Sequence, residues 1–311
     1  MRQFVVKKND AGQRLDKFVM KTVKTIPKSL LYKFIRLKRI KLNGRRCEAS
    51  VILKEDDVVS LYINDEFFEL KQLEYDFLNA PVDLNIVYED EHLLLIDKPP
   101  GIVVHQDNEK NADCLVNRMK HYLYQKGEYN PVKENSFSPA LCNRIDRNTG
   151  GIVIAAKDAQ TLRCINEKIR TREIIKRYLC LTEGVPKQKE GVLHHYLDKD
   201  SLQNKVRIKK EKTASNKEVI TKYRVLKTDG RHSLIEAELL TGRSHQIRAH
   251  MAYIGCPIAG DGKYGGKEKR KYHALYSYQL CFAFKTDAGN LNYLNGKTFQ
   301  VEKVWFQDEI K

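Results

Sequence analysis

The sequence predicts an α+β protein in two parts: a small, strongly basic N-terminal domain, then a larger mixed domain built on a largely antiparallel sheet. Three observations lead there. At 311 residues the chain exceeds one ordinary small domain, and its 41% apolar share can fill a sizeable core. Charge is unevenly placed: residues 1–50 hold fifteen Lys and Arg against three Asp and Glu, and the rest of the chain holds 41 against 37. Beyond residue 85, short apolar runs with strand character alternate with segments of helical spacing. A basic module on a nearly neutral body is the electrostatic pattern of a nucleic-acid grip; a lysine-rich, merely solvated face is the plainer alternative.

Other classes are set aside by pattern. No apolar run approaches the roughly eighteen residues of a membrane span. The opening Met1-Arg2-Gln3-Phe4-Val5-Val6-Lys7-Lys8 has no signal-peptide core, so a cytoplasmic location is expected. The seven cysteines are scattered and never form C-x-x-C, which predicts buried, reduced thiols rather than a disulfide framework or zinc site. The nine histidines give no H-E-x-x-H, and His194-His195 reads as a surface pair in a loop. No metal, no cofactor and no membrane partner is expected, and the chain is taken as a monomer.

Residues 1–63 read as one module. Leu15, Phe18 and Val19 carry helical spacing after Asp10-Ala11-Gly12. Ser29 is the expected N-cap of a second helix from Leu30 to about Arg39, with Leu31, Phe34 and Ile35 inward. Lys33, Arg36 and Arg39 then form a basic ridge. Ile40-Lys41-Leu42 is a strand, Asn43-Gly44 a hairpin turn, Arg45-Arg46 its return, and Val58 to Ile63 a closing strand. Acidic, loop-like residues 64–85 are expected to be the linker. Residues 86–311 form the second domain. Ile86-Val87-Tyr88 and Leu93 to Ile96 read as a hairpin, and Gly151 to Ala156 as a buried strand. Asp158 caps a helix with Leu162, Ile165 and Ile169 inward; Ile175 to Thr182 and Leu234 to Leu240 are further strands. The charged stretch from Pro186 to Lys217 is either an RNA-gripping loop or a solvated excursion.

Three segments carry chemistry. In Asn143-Arg144-Ile145-Asp146-Arg147-Asn148-Thr149-Gly150-Gly151 a carboxylate stands among guanidinium groups, which favour its ionised form and suit a nucleophile or proton acceptor. An ion pair fixing a glycine-rich turn is the bland reading. In Thr241-Gly242-Arg243-Ser244-His245-Gln246-Ile247-Arg248-Ala249-His250-Met251, Ser244 can cap a short helix ended by Gly255 and Pro257. Its start, beside Arg243 and His245, is a candidate anion site, and Arg248 lies off the core stripe where it can meet a carboxylate. In Lys176-Arg177-Tyr178-Leu179, the strand tyrosine either packs or stacks on a base.

Together, and in this order, these segments resemble the RluA family of pseudouridine synthases over about residues 86–285. The first is similar to the family's H-R-L-D-x-x-T-S-G signature, with Asn143 where His is usual. The second matches T-G-R-x-H-Q-I-R, and Asp97-Lys98-Pro99-Pro100-Gly101-Ile102-Val103-Val104-His105 matches K-P-x-G-x-x-V-H. Residues 12–18, 27–29 and 40–46 resemble the S4 RNA-binding domain. The combination looks most like the enzymes of large-subunit ribosomal RNA, type C more than type D. The resemblance implies a cofactor-free isomerisation of uridine in RNA. It places the catalytic carboxylate on Asp146, the base-stacking tyrosine on Tyr178, the arginine that pairs with the carboxylate on Arg248, and the residue filling a flipped nucleotide's gap on Arg144. Expected RNA contacts are Arg144, Arg147, Arg243, His245, Lys33, Arg36, Arg39, Arg45 and Arg46. Alternatives are a non-catalytic RNA-binding ribosome-assembly factor, and the same chemistry on transfer RNA.

Overall fold

The computed structural model describes residues 1–68, 72–106, 112–200 and 203–310. In the first module, β1 (Arg2–Val5), α1 (Leu15–Thr22), α2 (Lys28–Arg36), β2 (Ile40–Leu42), β3 (Arg45–Arg46) and β4 (Val58–Leu61) follow in order. Their sheet runs β1-β4-β2-β3, all antiparallel. Leu15, Phe18, Val19, Leu31, Ile40, Val59 and Leu61 are buried together, so both helices pack on one sheet face. The expected Ser29 cap is corrected. Pro27, at φ −62° and ψ 140°, occupies the cap position, and Ser29 falls in the first turn. Proline's fixed φ and missing donor suit that entry. Lys38, left-handed at φ 59°, stops the helix before Arg39.

The segment after β4 divides between the two cores. Phe67 and Phe68 pack on the first module, whereas Phe77, Leu78 and Leu84 join apolar residues of the second domain. Side chains 72–74 lie outside the described residues.

The second domain contains β5 (Ile86–Glu89), β6 (Leu93–Lys98), α3 (Leu115–Gln125), β7 (Ala140–Leu141), β8 (Gly150–Ala156), α4 (Ala159–Arg170) and β9 (Ile174–Glu183). Then come β10 (Glu190–Asp200), β11 (Lys205–Lys209), β12 (Lys217–Thr228), β13 (His232–Leu239), α5 (Gln246–Tyr253), β14 (Leu275–Phe282) and β15 (Thr298–Gln300). Among the described residues its sheet runs β11-β10-β12-β13-β9-β14-β8-β6-β5, with β7 beside β8 and β15 beside β14. Only the β14–β8 pairing is parallel among these. At the centre, Leu93, Leu95, Ile152 and Ile154 face a core with Ile165 of α4. Leu94, Ile96, Val153 and Ala155 face the opposite way, toward Leu115, Met119 and Leu123 of α3. Burial on both faces explains why β8 reads as an unbroken apolar run instead of an alternation.

Asp158 does cap α4, its carboxylate accepting from the Thr161 amide at 2.8 Å. The stretch from Pro186 to Lys217 differs from expectation: most of it is a β-hairpin, with β10 pairing both β11 and β12. His194 and His195 therefore lie in a strand and not in a loop. His194 meets Glu218 at 2.9 Å, and His195 packs against His250 and Tyr253. The seven cysteines are all free, three buried and four half-buried. Among the described residues no helix is long and apolar enough to cross a membrane, and no cluster of three His, Cys, Asp or Glu is arranged to hold a metal ion.

Candidate active site

Asp146 sits on the turn between β7 and β8, closed by a Thr149 amide bond to its carbonyl at 3.1 Å. Two glycines let this turn press against β14. Gly151 is at φ +115°, and a Cβ there would lie 2.2 Å from the Ser277 carbonyl oxygen. A Cβ on Gly150 would fall 2.2 Å from the Tyr276 ring. Behind the turn, the fully buried Lys98 donates to the carbonyls of Arg147, Pro99 and Ile102 at 2.9–3.0 Å. Burial draws its pKa down to about 7, opposed by the charges of Asp146 and Asp97. His273, drawn down to about 4 chiefly by burial, is neutral and meets the Thr149 hydroxyl at 2.9 Å.

The opposite wall is α5. Ser244 was expected to cap it, but the cap position is held by His245, left-handed at φ 54°. The Gln246 side chain secures the entry instead, accepting from the Arg243 amide at 3.1 Å and the Thr241 hydroxyl at 2.9 Å. Ile247 and Met251 enter the main core. Arg248, 7% exposed, turns its guanidinium between two carboxylates. Its Nε and Nη2 donate to Asp261 at 2.6 and 2.8 Å, and its Nη1 donates to Asp146 Oδ2 at 3.0 Å. This fork is a fixed, charge-assisted arrangement, and the Tyr264 ring lies 5.0 Å from the guanidinium carbon.

His245 Nε2 lies 3.8 Å from the same Asp146 oxygen, and its Nδ1 lies 2.9 Å from the Tyr264 hydroxyl. That hydroxyl accepts from the Val206 amide at 2.9 Å, so its proton is available to Nδ1. Burial lowers the His245 pKa, against the pull of Asp146, so a neutral ring stands beside the carboxylate. Tyr178, on β9, is buried; burial pushes its hydroxyl up to about 12, with the Asp146 charge adding and Ser277 opposing. Asp146 keeps 26% of its side chain exposed and is open to a ligand.

The geometry thus gathers Asp146, Arg248, His245 and Tyr178. Arg248 from α5 is the counter-ion of Asp146, with His245 beyond it, and Arg144 and Arg147 next to it in the chain are exposed. The Arg144 charge, after burial, helps to lower the pKa of His105. Arg243 is exposed at the start of α5. Lys33, Arg36, Arg39, Arg45 and Arg46 are exposed on the first module, with Arg39 over the Phe34 ring at 5.6 Å. Sequence reasoning missed Asp261, Tyr264 and His273. A charged residue inside the tight Gly260-Asp261-Gly262 turn was the available signal for the first.

A family model described as RNA pseudouridylate synthase matches residues 92–253, and an S4 domain model matches residues 13–59. A protein of Mycoplasma capricolum named as an uncharacterized RNA pseudouridine synthase is 32% identical, over 98% of this chain and 99% of its own. The ribosomal large subunit pseudouridine synthase C of Vibrio vulnificus is 29% identical, over 94% and 89%. Among solved structures, human RNA pseudouridylate synthase domain containing 4 has the same fold at TM-score 0.51 and 24% identity, covering 63% of this chain and 83% of that one.

Proposed function

This chain belongs to the RNA pseudouridylate synthase family of isomerases, and from that premise we propose that it converts uridine to pseudouridine in large-subunit ribosomal RNA through Asp146. The observation that carries the reading is the Asp146–Arg248–Asp261 chain: a partly exposed carboxylate held by an arginine that a second, buried carboxylate holds in turn. The ribosomal assignment rests on the name of the Vibrio vulnificus relative and on the S4 domain with its surplus of cations.

A stacked uridine is out of reach of a recessed carboxylate, so it must leave the helix, at a cost of a few kcal/mol that phosphate contacts elsewhere offset. Arg248 and His245 both address Oδ2 of Asp146, which directs Oδ1 toward the sugar. Addition of that oxygen to C1′, or removal of the C2′ proton by it, each breaks the bond from C1′ to N1 and frees the uracil. The base turns in place and rejoins through C5, displacing the carboxylate from C1′ in the first route or taking back the C2′ proton at C2′ in the second, and Asp146 is again an anion. Tyr178 stacks on it. Because the phenol keeps its proton at neutral pH, it takes the C5 proton only by passing its own to an anion, and Asp146 is the anion whose charge it senses. Exposed Arg144, beside the turn, fills the gap that the flipped nucleotide leaves.

Tritium release from large-subunit ribosomal RNA transcript labelled at uridine C5 tests this. Wild type should release tritium, and Asp146→Ala should fold and bind the transcript without turnover. Clear residual turnover in Asp146→Ala would remove the carboxylate from the mechanism. An inert wild type that still binds would favour an assembly factor, and release from transfer RNA alone would move the substrate there.

A further inference from the structure

The sharp turn at residues 7–13 of the first module is seated in the second domain. Asp10 is at its centre and completely buried. Its Oδ1 accepts from the Ser136 amide at 3.2 Å and the Ser136 hydroxyl at 2.6 Å. Its Oδ2 accepts from the Asn135 side-chain amide at 2.7 Å and from the Lys7 amide at 3.1 Å. Around this carboxylate, Asn135 also donates to the Val5 carbonyl at 2.8 Å, and Gln13 donates to the Ser136 hydroxyl at 2.8 Å. Asn9 accepts from the Ala159 amide at the start of α4 at 3.2 Å and donates to Glu134 at 3.2 Å. The receiving residues belong to the connection 126–139 between α3 and β7 and to the helix that follows β8. A connection of this length without regular structure is uncommon and is usually functional. Here its far half supplies the polar partners that a buried carboxylate needs.

We propose that this seat fixes the basic module at a set place relative to Asp146, and that Asp10 is a positioning residue for RNA held at two points. The inference rests on the RNA-isomerase reading above and extends it to how substrate is selected. A seated module presents its cations at one distance and angle from the reacting carboxylate. A module held only by the chain after β4 samples many, and its contribution falls to an effective-concentration term. RNA long enough to reach both points gains from the seat, and RNA that reaches only the Asp146 site does not. Asp10 acts through the module and touches no reacting atom.

The test uses the full chain with Asn135→Asp, which sets a second carboxylate against the buried Asp10 without altering the module. The exchange removes the amide that donates to Asp10 and sets like charges face to face, and the seat opens. Wild-type tritium release from the large-subunit transcript is the control, and its failure counts against the isomerase reading, not the seat. With wild type active, Asn135→Asp should raise KM for the transcript about tenfold with kcat within twofold. On a stem–loop cut from the same transcript around the modified uridine, it should match wild type. Solution scattering should show a larger radius of gyration. Adding Asp10→Asn in the same chain removes the like-charge pair, and should return both KM and radius part of the way to wild type, since the Val5 carbonyl still lacks its donor. Unchanged kinetics on the transcript, equal loss on both RNAs, or failure of the paired exchange to rescue would each overturn the proposal.

Discussion

Arg248 supplies three N–H groups to two carboxylates, and no other basic side chain can reproduce that fork. A lysine placed there offers one compact ammonium and cannot bridge Asp261 bidentately while reaching Asp146. Arg248→Lys should therefore lower kcat about a hundredfold or more, the order seen when one fixed electrostatic donor is removed from an active site. Asp261→Asn keeps the shape but can accept from only one of Nε and Nη2, so it should cost less, about tenfold. Asp261 is 2% exposed and out of reach of RNA, so transcript affinity should stay unchanged in a filter-binding measurement. A matched loss of affinity would make the triad structural. Asp146 and Arg248 are legible in the sequence because each lies in a dense, ordered motif. Asp261 is not, since its role exists only once the turn after α5 folds back under the guanidinium.

At the scale of elements, alternation and capping signals located most of the regular structure, with characteristic exceptions. The β5–β6 hairpin and the Asp158 cap follow directly from local chemistry. The β10–β11 hairpin was hidden because its charged residues offer little apolar alternation; it is joined to the sheet by the pairing of β10 with β12. Helix entries at Pro27 and His245 went astray because a hydroxyl in the right place is a statistical signal, and a fixed proline φ or the Gln246 side chain overrode it. The β5–β6 hairpin also carries a measurable pH dependence. Glu89 accepts from Tyr122 of α3 and from Lys126 just beyond it at 2.7 Å, and from Lys157 after β8 at 2.6 Å. Burial alone would raise its pKa, but these three bonds outweigh it and bring the group from 4.5 to about 2. A folded pKa below the unfolded one means the stabilisation is complete above 4.5 and is lost as pH falls toward 2. Melting temperature should drop through that window in wild type. Glu89→Gln should melt lower at neutral pH and converge with wild type near the acid end; parallel curves would contradict the assignment.

Across the whole molecule, the proposed reading gives recognition and chemistry to different parts, which should respond differently to salt. The Asp146–Arg248–Asp261 contacts are short and mostly enclosed, where mobile ions screen little, whereas the cations of the first module are exposed. Each phosphate contact releases condensed counterions, so the logarithm of the binding constant falls with the logarithm of salt by about 0.7–0.9 per contact. Arg45 and Arg46 are exposed on the return strand of the β2–β3 hairpin and supply none of the bonds described at the seat or at Asp146. Replacing both with Ala should weaken transcript binding and reduce the salt slope by between one and two. Turnover at saturating transcript should remain near wild type, because neither residue touches the reacting carboxylate. A fall in kcat with an unchanged slope would mean that this strand shapes the active site and not the grip. An unchanged slope with unchanged kcat would place the RNA on another face of the module, and the ridge of Lys33, Arg36 and Arg39 on α2 and just beyond it would then carry the phosphate contacts instead.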